Sequence, residues 1–397
     1  MTANEDCGTG DCDTEERNRA AILGVSSLVN RSITRRAMLA TLPACLNAQT
    51  ARSRSKTKPL GNVGEFFRFS DPTTETFVVR LTSLNSSSFL PANANRFISL
   101  KDRFLLFSSD RSGTLSPFQV DLRGGAVRQL ATTVHLSAES LCLDPKERWL
   151  YFLDGDRLQR TELTKKESRR QVLETLASEV SGFSIAPSGN EVFLIRAGNL
   201  QRLEGGNEGA TLAGAVGKTC LAQPGSGKGC LFSREISASE REFWYTAGSG
   251  PKPVLLAKGS VSDPFWSPDG QSLLFLRDVT VSEVTLAEIH EVGLDGTGEH
   301  CVTSTSQFAS FAPNFDGSVF VGASRSKAQP NVVLLLRSAK REMTLCQHHS
   351  SHAASVSPVF SPDARRVYFQ SDEEGKPAIY SVNVEMLVEP PGESGQG

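Results

Sequence analysis

Long amphipathic helical patterns are missing from this sequence, and no apolar run reaches the roughly 18 residues that a membrane-spanning helix needs. The first absence argues against a helical architecture, and the second predicts that the chain has no transmembrane segment. Charge of one sign is not in excess either, because 42 Lys and Arg face 44 Asp and Glu, for a net charge of −2. A chain with this balance has no general attraction for nucleic acid, so no nucleic-acid partner is expected.

The common catalytic motifs are missing as well. The stretch Gly322-Ala-Ser-Arg-Ser326 lacks the final Gly of a Gly-x-Ser-x-Gly nucleophile elbow, which argues against a serine peptidase of the prolyl oligopeptidase type. The stretch Gly225-Ser-Gly-Lys228 lacks the first Gly of a phosphate-binding loop, since Ala222 stands there, and Gly229 stands where Ser or Thr should follow. We interpret this stretch as a turn, and the sequence predicts no bound cofactor.

Cysteine is scattered: the eight cysteines form no Cys-x-x-Cys pair in the part of the chain that we expect to fold. This spacing supports neither a zinc site nor a dense disulfide framework. Five cysteines fall in that part, most of them among apolar residues typical of strands, and we interpret them as buried free thiols: Cys142, Cys220, Cys230, Cys301 and Cys346. A Cys220–Cys230 disulfide stays an alternative if the protein is exported.

A short sequence motif that occurs twice is the most informative pattern in the chain. Residues 265–275 read F-W-S-P-D-G-Q-S-L-L-F, and residues 360–369 read F-S-P-D-A-R-R-V-Y-F. Each combines a strand end, a tight turn built on Pro and Asp, and an apolar run suited to a buried strand. A second motif, Phe107-Ser-Ser-Asp-Arg-Ser-Gly113, matches Phe369-Gln-Ser-Asp-Glu-Glu-Gly375 at the same offset after the apolar run. An internal repeat of this kind decides the fold.

Weaker copies of the turn complete a series of seven. Their spacings, between 37 and 49 residues, match the roughly 40–45-residue period of a four-stranded propeller blade. The predicted turns are centred on Lys101-Asp102, Asp144-Pro145, Ala186-Pro187, Gln223-Pro224, Ser267-Pro268, Ala312-Pro313 and Ser361-Pro362. The sequence thus predicts an all-β, seven-bladed β-propeller of four-stranded blades, in which the copies at Ala186 and Gln223 carry the weakest signal.

The two ends of the repeat region predict how the ring closes. The last copy has room for strands at 356–360, 366–370 and 377–384, and then stops at Pro390-Pro391 without a fourth strand. Near the start, Thr76–Thr82 looks like the fourth strand of a blade. We therefore expect this N-terminal strand to complete the last blade and to remove an exposed sheet edge.

The predicted domain organisation has three segments. Residues 1–64 form a largely disordered, leader-like and linker segment, residues 65–388 form the propeller, and residues 389–397 form a disordered tail.

The charge distribution of the leader suggests a role in export. Residues 5–16 hold six acidic residues, whereas 17–64 hold nine Lys or Arg and no acidic residue. Arg35 and Arg36 precede an apolar run in a pattern that resembles a twin-arginine signal, and Cys45 offers a weaker, lipoprotein-type processing site. We expect a periplasmic or otherwise exported protein; a disordered basic tail on a cytoplasmic protein is the alternative.

A histidine cluster near the end is the strongest metal-binding pattern. Gln347, His348, His349 and His352 could together ligate a divalent transition metal. Neighbouring residues of a strand point to opposite faces, so His348 and His349 could converge only where the chain leaves strand geometry. A loop is expected here, before the first strand of the next blade. A solvated polar loop is the alternative interpretation.

The repeats resemble those of a known class of proteins. Trp266-Ser-Pro-Asp-Gly270, Phe360-Ser-Pro-Asp363 and Ser371-Asp-Glu-Glu-Gly375 are similar to the Pro-Asp, WD-like propeller repeats of TolB-like proteins. Within that class the layout looks most like the oligogalacturonate lyase family, because of Val78-Val-Arg-Leu-Thr82 near the start and Gly375-Lys-Pro-Ala-Ile-Tyr380 near the end. The resemblance covers about residues 65–385 and implies the propeller fold.

The resemblance to oligogalacturonate lyases also implies a set of metal positions. Members of that family bind manganese at the propeller face through histidines and a glutamine. The positions that match three of those histidines hold Asp263, Ser355 and Ser357 in this sequence. An Asp can ligate Mn²⁺, whereas Ser is a poor ligand, and Gln347 with its neighbouring histidines matches the family only across a gap.

Two functions from different classes follow. The first is an exported binding module, expected to be a monomer, whose ring face takes a carbohydrate, a peptide or an envelope protein. The alternative is a metal-dependent lyase that acts on acidic oligosaccharides by β-elimination, with Mn²⁺ or another divalent metal as its cofactor.

The lyase chemistry needs a base, a cation on the substrate carboxylate and further basic side chains. Arg277 and Arg325, in expected inter-strand loops, are the candidate catalytic residues, and ordinary surface arginines are the alternative interpretation. Asp263 and the cluster Gln347–His352 are the candidate metal ligands.

Overall fold

The structure is a computed structural model, and it describes residues 64–163, 173–204, 207–225, 228–248, 252–305, 307–385 and 387. The predicted export residues Arg35, Arg36 and Cys45 lie outside the described residues, as do nearly all of 1–64 and the whole of 389–397. The described residues form seven antiparallel sheets arranged as the blades of a β-propeller. The predicted fold class is confirmed.

The strands follow one another blade by blade. The first two strands, which join the last blade, are β1 (Phe67–Ser70) and β2 (Phe77–Arg80). Blade 1 consists of β3 (Ser88–Phe89), β4 (Phe104–Ser109), β5 (Ser116–Asp121) and β6 (Val127–Gln129). Blade 2 consists of β7 (Cys142–Leu143), β8 (Trp149–Asp154), β9 (Arg157–Glu162) and β10 (Leu173–Ala177). Blade 3 consists of β11 (Val180–Ile185), β12 (Glu191–Arg196), β13 (Asn199–Glu204) and β14 (Asn207–Gly214).

The second half of the ring repeats this order. Blade 4 consists of β15 (Cys220–Ala222), β16 (Cys230–Glu235), β17 (Arg241–Thr246) and β18 (Val254–Gly259). Blade 5 consists of β19 (Val261–Trp266), β20 (Ser272–Val281), β21 (Val284–Gly293) and β22 (His300–Ser304). Blade 6 consists of β23 (Phe308–Pro313), β24 (Val319–Ser324), β25 (Asn331–Leu336) and β26 (Arg341–Gln347). Blade 7 contains β27 (Val359–Phe360), β28 (Arg366–Ser371) and β29 (Ala378–Asn383), and two single-turn 3-10 helices precede blades 2 and 7, at Ala138–Ser140 and Ala353–Val356.

The repeated Pro-Asp motif forms the turn between the first and second strands of a blade. In blade 5 the amide of Ser267 donates to the Ser272 carbonyl at 3.0 Å, and the amide of Gly270 donates to the Ser267 carbonyl at 2.8 Å. The Ser267 hydroxyl accepts from the Ser272 amide at 3.0 Å and donates to Asp269 at 2.6 Å. The motif recurs because its side chains complete the hydrogen bonds of the turn that leads into the second strand.

The two weakest copies are also blade turns. Ala186 makes the same backbone pair of bonds, to Glu191 at 3.0 Å and from Gly189 at 2.8 Å. An alanine side chain cannot accept a hydrogen bond, which is why the sequence signal fades there. In blade 4 the Gln223 amide donates to the carbonyl of Gly229 at 3.0 Å, so this turn is longer by one residue.

The sixth turn lies later than predicted. Pro313 still belongs to β23, and the turn runs from Asn314 to Gly317, two residues after the predicted anchor at Ala312-Pro313. Here the Asn314 side chain takes the role of the serine, since its Oδ1 accepts from the Val319 amide at 3.1 Å.

Strand β2 closes the ring, as the sequence predicts. It pairs antiparallel with β29 through the register Val78↔Val382, Val79↔Ser381 and Arg80↔Tyr380. Strand β1 pairs with β2 on its other side, so blade 7 has five strands, in the order β1-β2-β29-β28-β27. The first and last parts of the described chain are therefore joined within one sheet.

The hydrophobic core lies between neighbouring blades. Side chains of β20 alternate, so Leu273 and Phe275 pack against blade 4, whereas Leu274 and Leu276 pack against blade 6. In blade 6, Gly322 allows a close approach, because a Cβ on it would lie 2.2 Å from the ring of Phe308. Each buried Leu or Phe contributes about 1.5–3 kcal/mol, so these interfaces dominate the stability of the ring.

The cysteines partly follow the prediction. Cys142, Cys220, Cys230 and Cys346 are buried free thiols, whereas Cys301 is exposed on the outer strand of blade 5. The prediction was wrong for Cys301 because an outer strand has one unpaired edge and less cover. Among the residues that the structure describes, no helix is long and apolar enough to cross a membrane.

Loss of the closing strands should open the ring. Deletion of residues 64–84 removes β1 and β2 and leaves β29 with an unpaired edge, so we expect insoluble or molten protein without a cooperative thermal transition. Deletion of residues 1–48 should leave the melting curve unchanged.

A matched pair of point variants separates closure from general damage. Val78, which is 2% exposed, and Phe77, which is 66% exposed, are neighbours on β2. Val78→Asp should lower the free energy of unfolding by at least about 2 kcal/mol, because it buries a charge, and Phe77→Asp should have little effect. Equal melting temperatures for the two variants would contradict this role of β2.

Candidate ligand-binding site

The inner strands of the propeller surround a cavity of about 560 Å³ at the end of the ring where those strands begin. Segments from six of the seven blades reach it, and the described residues of blade 6 contribute nothing to its lining. Its wall mixes hydroxyl, amide, charged and small apolar side chains, including Asn93, Glu139, Lys218, Arg241, Asp263 and Gln370. A concave site with convergent polar groups at the axis of the ring is the candidate ligand site of this fold.

Asp263 is the most unusual residue of this wall. It lies in a bulge of β19, between Ser262 and Phe265, and it has the left-handed φ of +46°. Its Oδ2 is buried without a hydrogen-bond partner among the described residues, although the residue as a whole is only partly buried. Bulges often re-aim a side chain, and backbone strain of this kind concentrates at functional sites.

Burial controls the protonation of Asp263. Loss of solvation raises the pKa of its carboxyl to about 7, against the opposite effects of a hydrogen bond from the Phe311 backbone and the positive charge of Arg241. The group therefore changes charge near neutral pH, which is unusual for a carboxyl.

Two serines and a glutamine share the cavity with Asp263. Ser355 donates its hydroxyl to the His352 carbonyl at 2.7 Å, and Ser357 donates to the Ala354 carbonyl at 3.4 Å. Gln370 accepts from the Leu90 amide at 2.7 Å and donates to the Ser355 carbonyl. The three positions that the resemblance singled out, Asp263, Ser355 and Ser357, thus line one cavity.

His348 of the histidine cluster is a buried, fully bonded side chain. It is 2% exposed, its Nε2 lies 3.0 Å from the Ser324 carbonyl, and its Nδ1 accepts from the Ser350 amide at 3.0 Å. These partners place the proton on Nε2. Burial lowers the pKa of this imidazole, so it is neutral at neutral pH. Both ring nitrogens already have partners within the chain.

The other residues of the cluster point to different partners. The backbone amide of Gln347 donates to Asp71 at 2.9 Å, and the Nε2 of His349 lies 3.9 Å from a Glu373 carboxylate oxygen. His352 is exposed at the start of a 3-10 turn. None of these side chains lines the cavity, so the structure does not bring them together with Asp263. Their metal-binding role stays a prediction.

The two candidate arginines form links between blades. Arg325, just after β24, donates to Asp278 at 2.8 Å and to the Phe308 carbonyl at 2.7 Å. Arg277 lies within β20 and not in a loop, so that part of the prediction was wrong. Arg277 donates to the Lys258 carbonyl of blade 4 at 3.0 Å. Neither arginine lines the cavity.

A group on the outer part of blade 5 could not be found from the sequence. Among the described residues, Glu288, His290 and Cys301 are the one set of three His, Cys, Asp or Glu side chains whose ligand atoms all lie within 4.8 Å of one another. The spacing Glu288-x-His290 places two of them on one face of a strand. The third comes from the neighbouring strand, through a pairing register that the sequence does not reveal.

Comparison with known proteins supports the fold. No family model and no curated protein matches the sequence. Among solved structures, an oligogalacturonate lyase from Vibrio parahaemolyticus matches with a TM-score of 0.71 and 19% identity, over 82% of this chain and 98% of that one. An oligogalacturonate lyase in complex with manganese matches with a TM-score of 0.70 and 18% identity, over 80% and 96% of the two chains.

This chain shares the fold of oligogalacturonate lyase. TolB from Acinetobacter baumannii also matches, with a TM-score of 0.42, 14% identity and coverage of 77% and 86%, a likeness too low to carry an argument of its own. The two oligogalacturonate lyase structures agree with the propeller fold that the resemblance of the Pro-Asp repeats implies. Identities below 20% show the fold and leave the activity open.

The protonation of Asp263 gives a testable pH dependence. A carboxyl whose pKa is 3.8 unfolded and about 7 folded holds its proton more tightly in the folded state. The free energy of unfolding therefore falls as the pH rises from about 4 to about 7, and the full penalty is present above 7.

Asp263→Asn removes this penalty. We expect the variant to be more stable than the wild type at pH 8, by up to about 4 kcal/mol, with a smaller difference at pH 5. Denaturant unfolding at both pH values measures this. Asp156→Asn, at an exposed position, is the control and should show no pH-dependent difference. If Asp263→Asn destabilised the protein equally at both pH values, the raised pKa of the Asp263 carboxyl would be contradicted.

Proposed function

We propose that this protein is an exported binding module whose propeller ring face takes up a polar ligand, either a carbohydrate, a peptide or an exposed segment of an envelope protein. The ligand site is the central cavity. Its wall carries carboxyl groups from Glu139 and Asp263 and cationic groups from Lys218 and Arg241, beside several hydroxyl and amide groups. This lining suits a ligand rich in hydrogen-bonding groups more than an apolar one.

The observation that carries the proposal is the buried, unpartnered Oδ2 of Asp263. A buried polar atom without a hydrogen bond destabilises the folded state by about 1–3 kcal/mol. A ligand hydroxyl or ammonium group that donates to this oxygen would offset the penalty. The free protein would then hold a preorganised acceptor, and binding would supply its partner.

The donors at this cavity do not fit manganese. Of the three positions implied by the lyase resemblance, Ser355 and Ser357 use their hydroxyls to bond backbone carbonyls. Of these three positions only Asp263 offers a carboxylate, and hydroxyl groups are weak ligands for this ion. These side chains therefore give no support to a catalytic step through a metal, and the binding module ranks above the lyase.

A ligand screen tests the binding function. Oligosaccharides, with and without uronic acids, and short peptides are titrated into the full chain by calorimetry. At pH 8, where the Asp263 carboxyl is ionised, we expect one class to bind and Asp263→Ala to weaken its affinity at least tenfold, because the ligand loses a hydrogen bond to a charged group. Asp156→Asn should bind like the wild type. A ligand whose affinity is unchanged in Asp263→Ala and in Arg241→Ala would contradict binding at this cavity.

An absorbance assay for the unsaturated product tests the lyase alternative. With oligogalacturonate and excess Mn²⁺, we expect no turnover, because two of the three implied ligands are serines. Turnover that is abolished by His349→Ala or His352→Ala would overturn this expectation. It would show that the cluster Gln347–His352 supplies the metal site.

The export part of the proposal rests on Arg35 and Arg36 alone. Replacement of both by Lys should block translocation, because the twin-arginine pathway reads the guanidinium pair rather than the charge. Cell fractionation measures the distribution. An unchanged distribution between cytoplasm and periplasm would favour the disordered-tail interpretation.

A further inference from the structure

We propose that Glu288, His290 and Cys301 form a binding site for Zn²⁺ or a similar borderline divalent ion on the outer strands of blade 5. The three residues lie on β21 and β22, and their ligand atoms all lie within 4.8 Å of one another. They lie outside the central cavity, so this site is separate from the proposed ligand site.

Strand pairing explains how residues without a metal-binding sequence motif come together. Glu288 and His290 are two apart on β21 and therefore share one face of the blade. The register runs Ile289↔Thr303 and then His290↔Cys301, with a bulge that skips Val302. The bulge places Cys301 opposite His290, and cross-strand partners have their side chains on the same face.

A second layer of contacts orients the imidazole. The Nδ1 of His290 lies 3.0 Å from a carboxylate oxygen of Glu299, and Arg277 holds that same oxygen at 2.7 Å. A carboxylate on one ring nitrogen is the usual support of a metal-binding histidine, because it fixes the tautomer and leaves the other nitrogen for the metal. Here the other nitrogen, Nε2, faces Glu288 at 3.0 Å.

The ligand set selects the class of ion. Imidazole nitrogen, thiolate sulfur and carboxylate oxygen together suit Zn²⁺, whereas Mg²⁺ and Ca²⁺ prefer oxygen ligands alone. The sulfur of Cys301 lies within 4.8 Å of the ligand atoms of Glu288 and His290, so it already faces the other two ligands. Glu288 and His290 side chains are 19% and 12% exposed, and Cys301 is exposed, which gives an ion a path from solvent. Three protein ligands leave a fourth position for water.

The competing arrangement is a His290 ring that contacts Glu288 and Glu299 through its two nitrogens, with no metal. The two arrangements differ in the role of sulfur, because a histidine between carboxylates needs no thiolate. Metal binding also releases the thiol proton and ties the edge strand β22 to β21, so it should raise the melting temperature.

Cobalt titration of the full chain, after treatment with a chelator, tests the proposal. Co²⁺ bound by a thiolate gives a near-ultraviolet charge-transfer band. We expect this band in the wild type, its loss with one fewer bound ion per chain in Cys301→Ser, and at least tenfold weaker binding in His290→Ala and Glu288→Gln. His300→Ala is the matched control, since this exposed histidine neighbours Cys301 on β22 and lies outside the group.

His349→Ala provides a second control, because it perturbs the other histidine cluster. Melting curves in chelator establish that each variant is folded. Absence of the thiolate band in the wild type would overturn the proposal in favour of the metal-free His290. A band that survives in both Cys301→Ser and Glu288→Gln would overturn it as well, and would place the ion elsewhere. Neither result would bear on the central cavity, whose test uses Asp263 and Arg241.

Discussion

The pairing of β2 with β29 is the contact on which the rest of the structure depends. It joins segments about 300 residues apart, Val78 with Val382 and Arg80 with Tyr380. Each blade buries both faces of its central strands against its two neighbours, so an open ring would expose two of these faces at once. The bonds from Leu81 to Ile379 and from Arg80 to Glu374 extend the same closure beyond the strands.

Closure also creates the candidate site. The cavity lies where the inner strands begin. Residues of blade 7, which contains the closing strand, and of its neighbour blade 1 line it together with blades 2 to 5. A closed ring can maintain strained backbone conformations such as that of Asp263, because the interfaces with the two neighbouring blades fix the backbone of β19. Burial of the Asp263 carboxyl raises its pKa and destabilises the folded state when the group is ionised. A bound polar group that donates to the unpartnered Oδ2 would offset this destabilisation.

Much of the fold could be predicted because its signal is local. The Ser-Pro-Asp turn carries its own hydrogen bonds, so Ser267 and Ser361 were visible in the sequence. The sequence signal is weak in the two turns that lack this serine. The Ala186 side chain has no hydrogen-bond acceptor, and the Gln223 side chain instead donates to the Gly270 carbonyl of the next blade's turn at 2.8 Å. The fifth strand of blade 7 was missed because a pairing on its outer edge leaves no repeat in the sequence.

The sites were harder to predict because they depend on contacts between distant residues. His348 looked like a ligand, yet its ring nitrogen meets Ser324, a residue of a different strand, and it is buried as a result. Cys301 looked like a buried thiol, yet one skipped residue in the pairing of β21 with β22 places it beside His290. The resemblance to the lyase family did locate the cavity, since Asp263, Ser355 and Ser357 all line it, but these residues are not the histidines that the resemblance implies.

Native-state hydrogen exchange is the sharpest test of ring closure by β2. If β2 closes the ring, the amides of Val78, Val79 and Arg80 should exchange only when the whole propeller unfolds, as slowly as those of the central strands β12 and β20. Denaturant should accelerate the three sets of amides in parallel. Fast exchange of the β2 amides through a local opening, while β12 and β20 stay protected, would contradict closure as the basis of the fold, because the ring would then be stable without its closing strand.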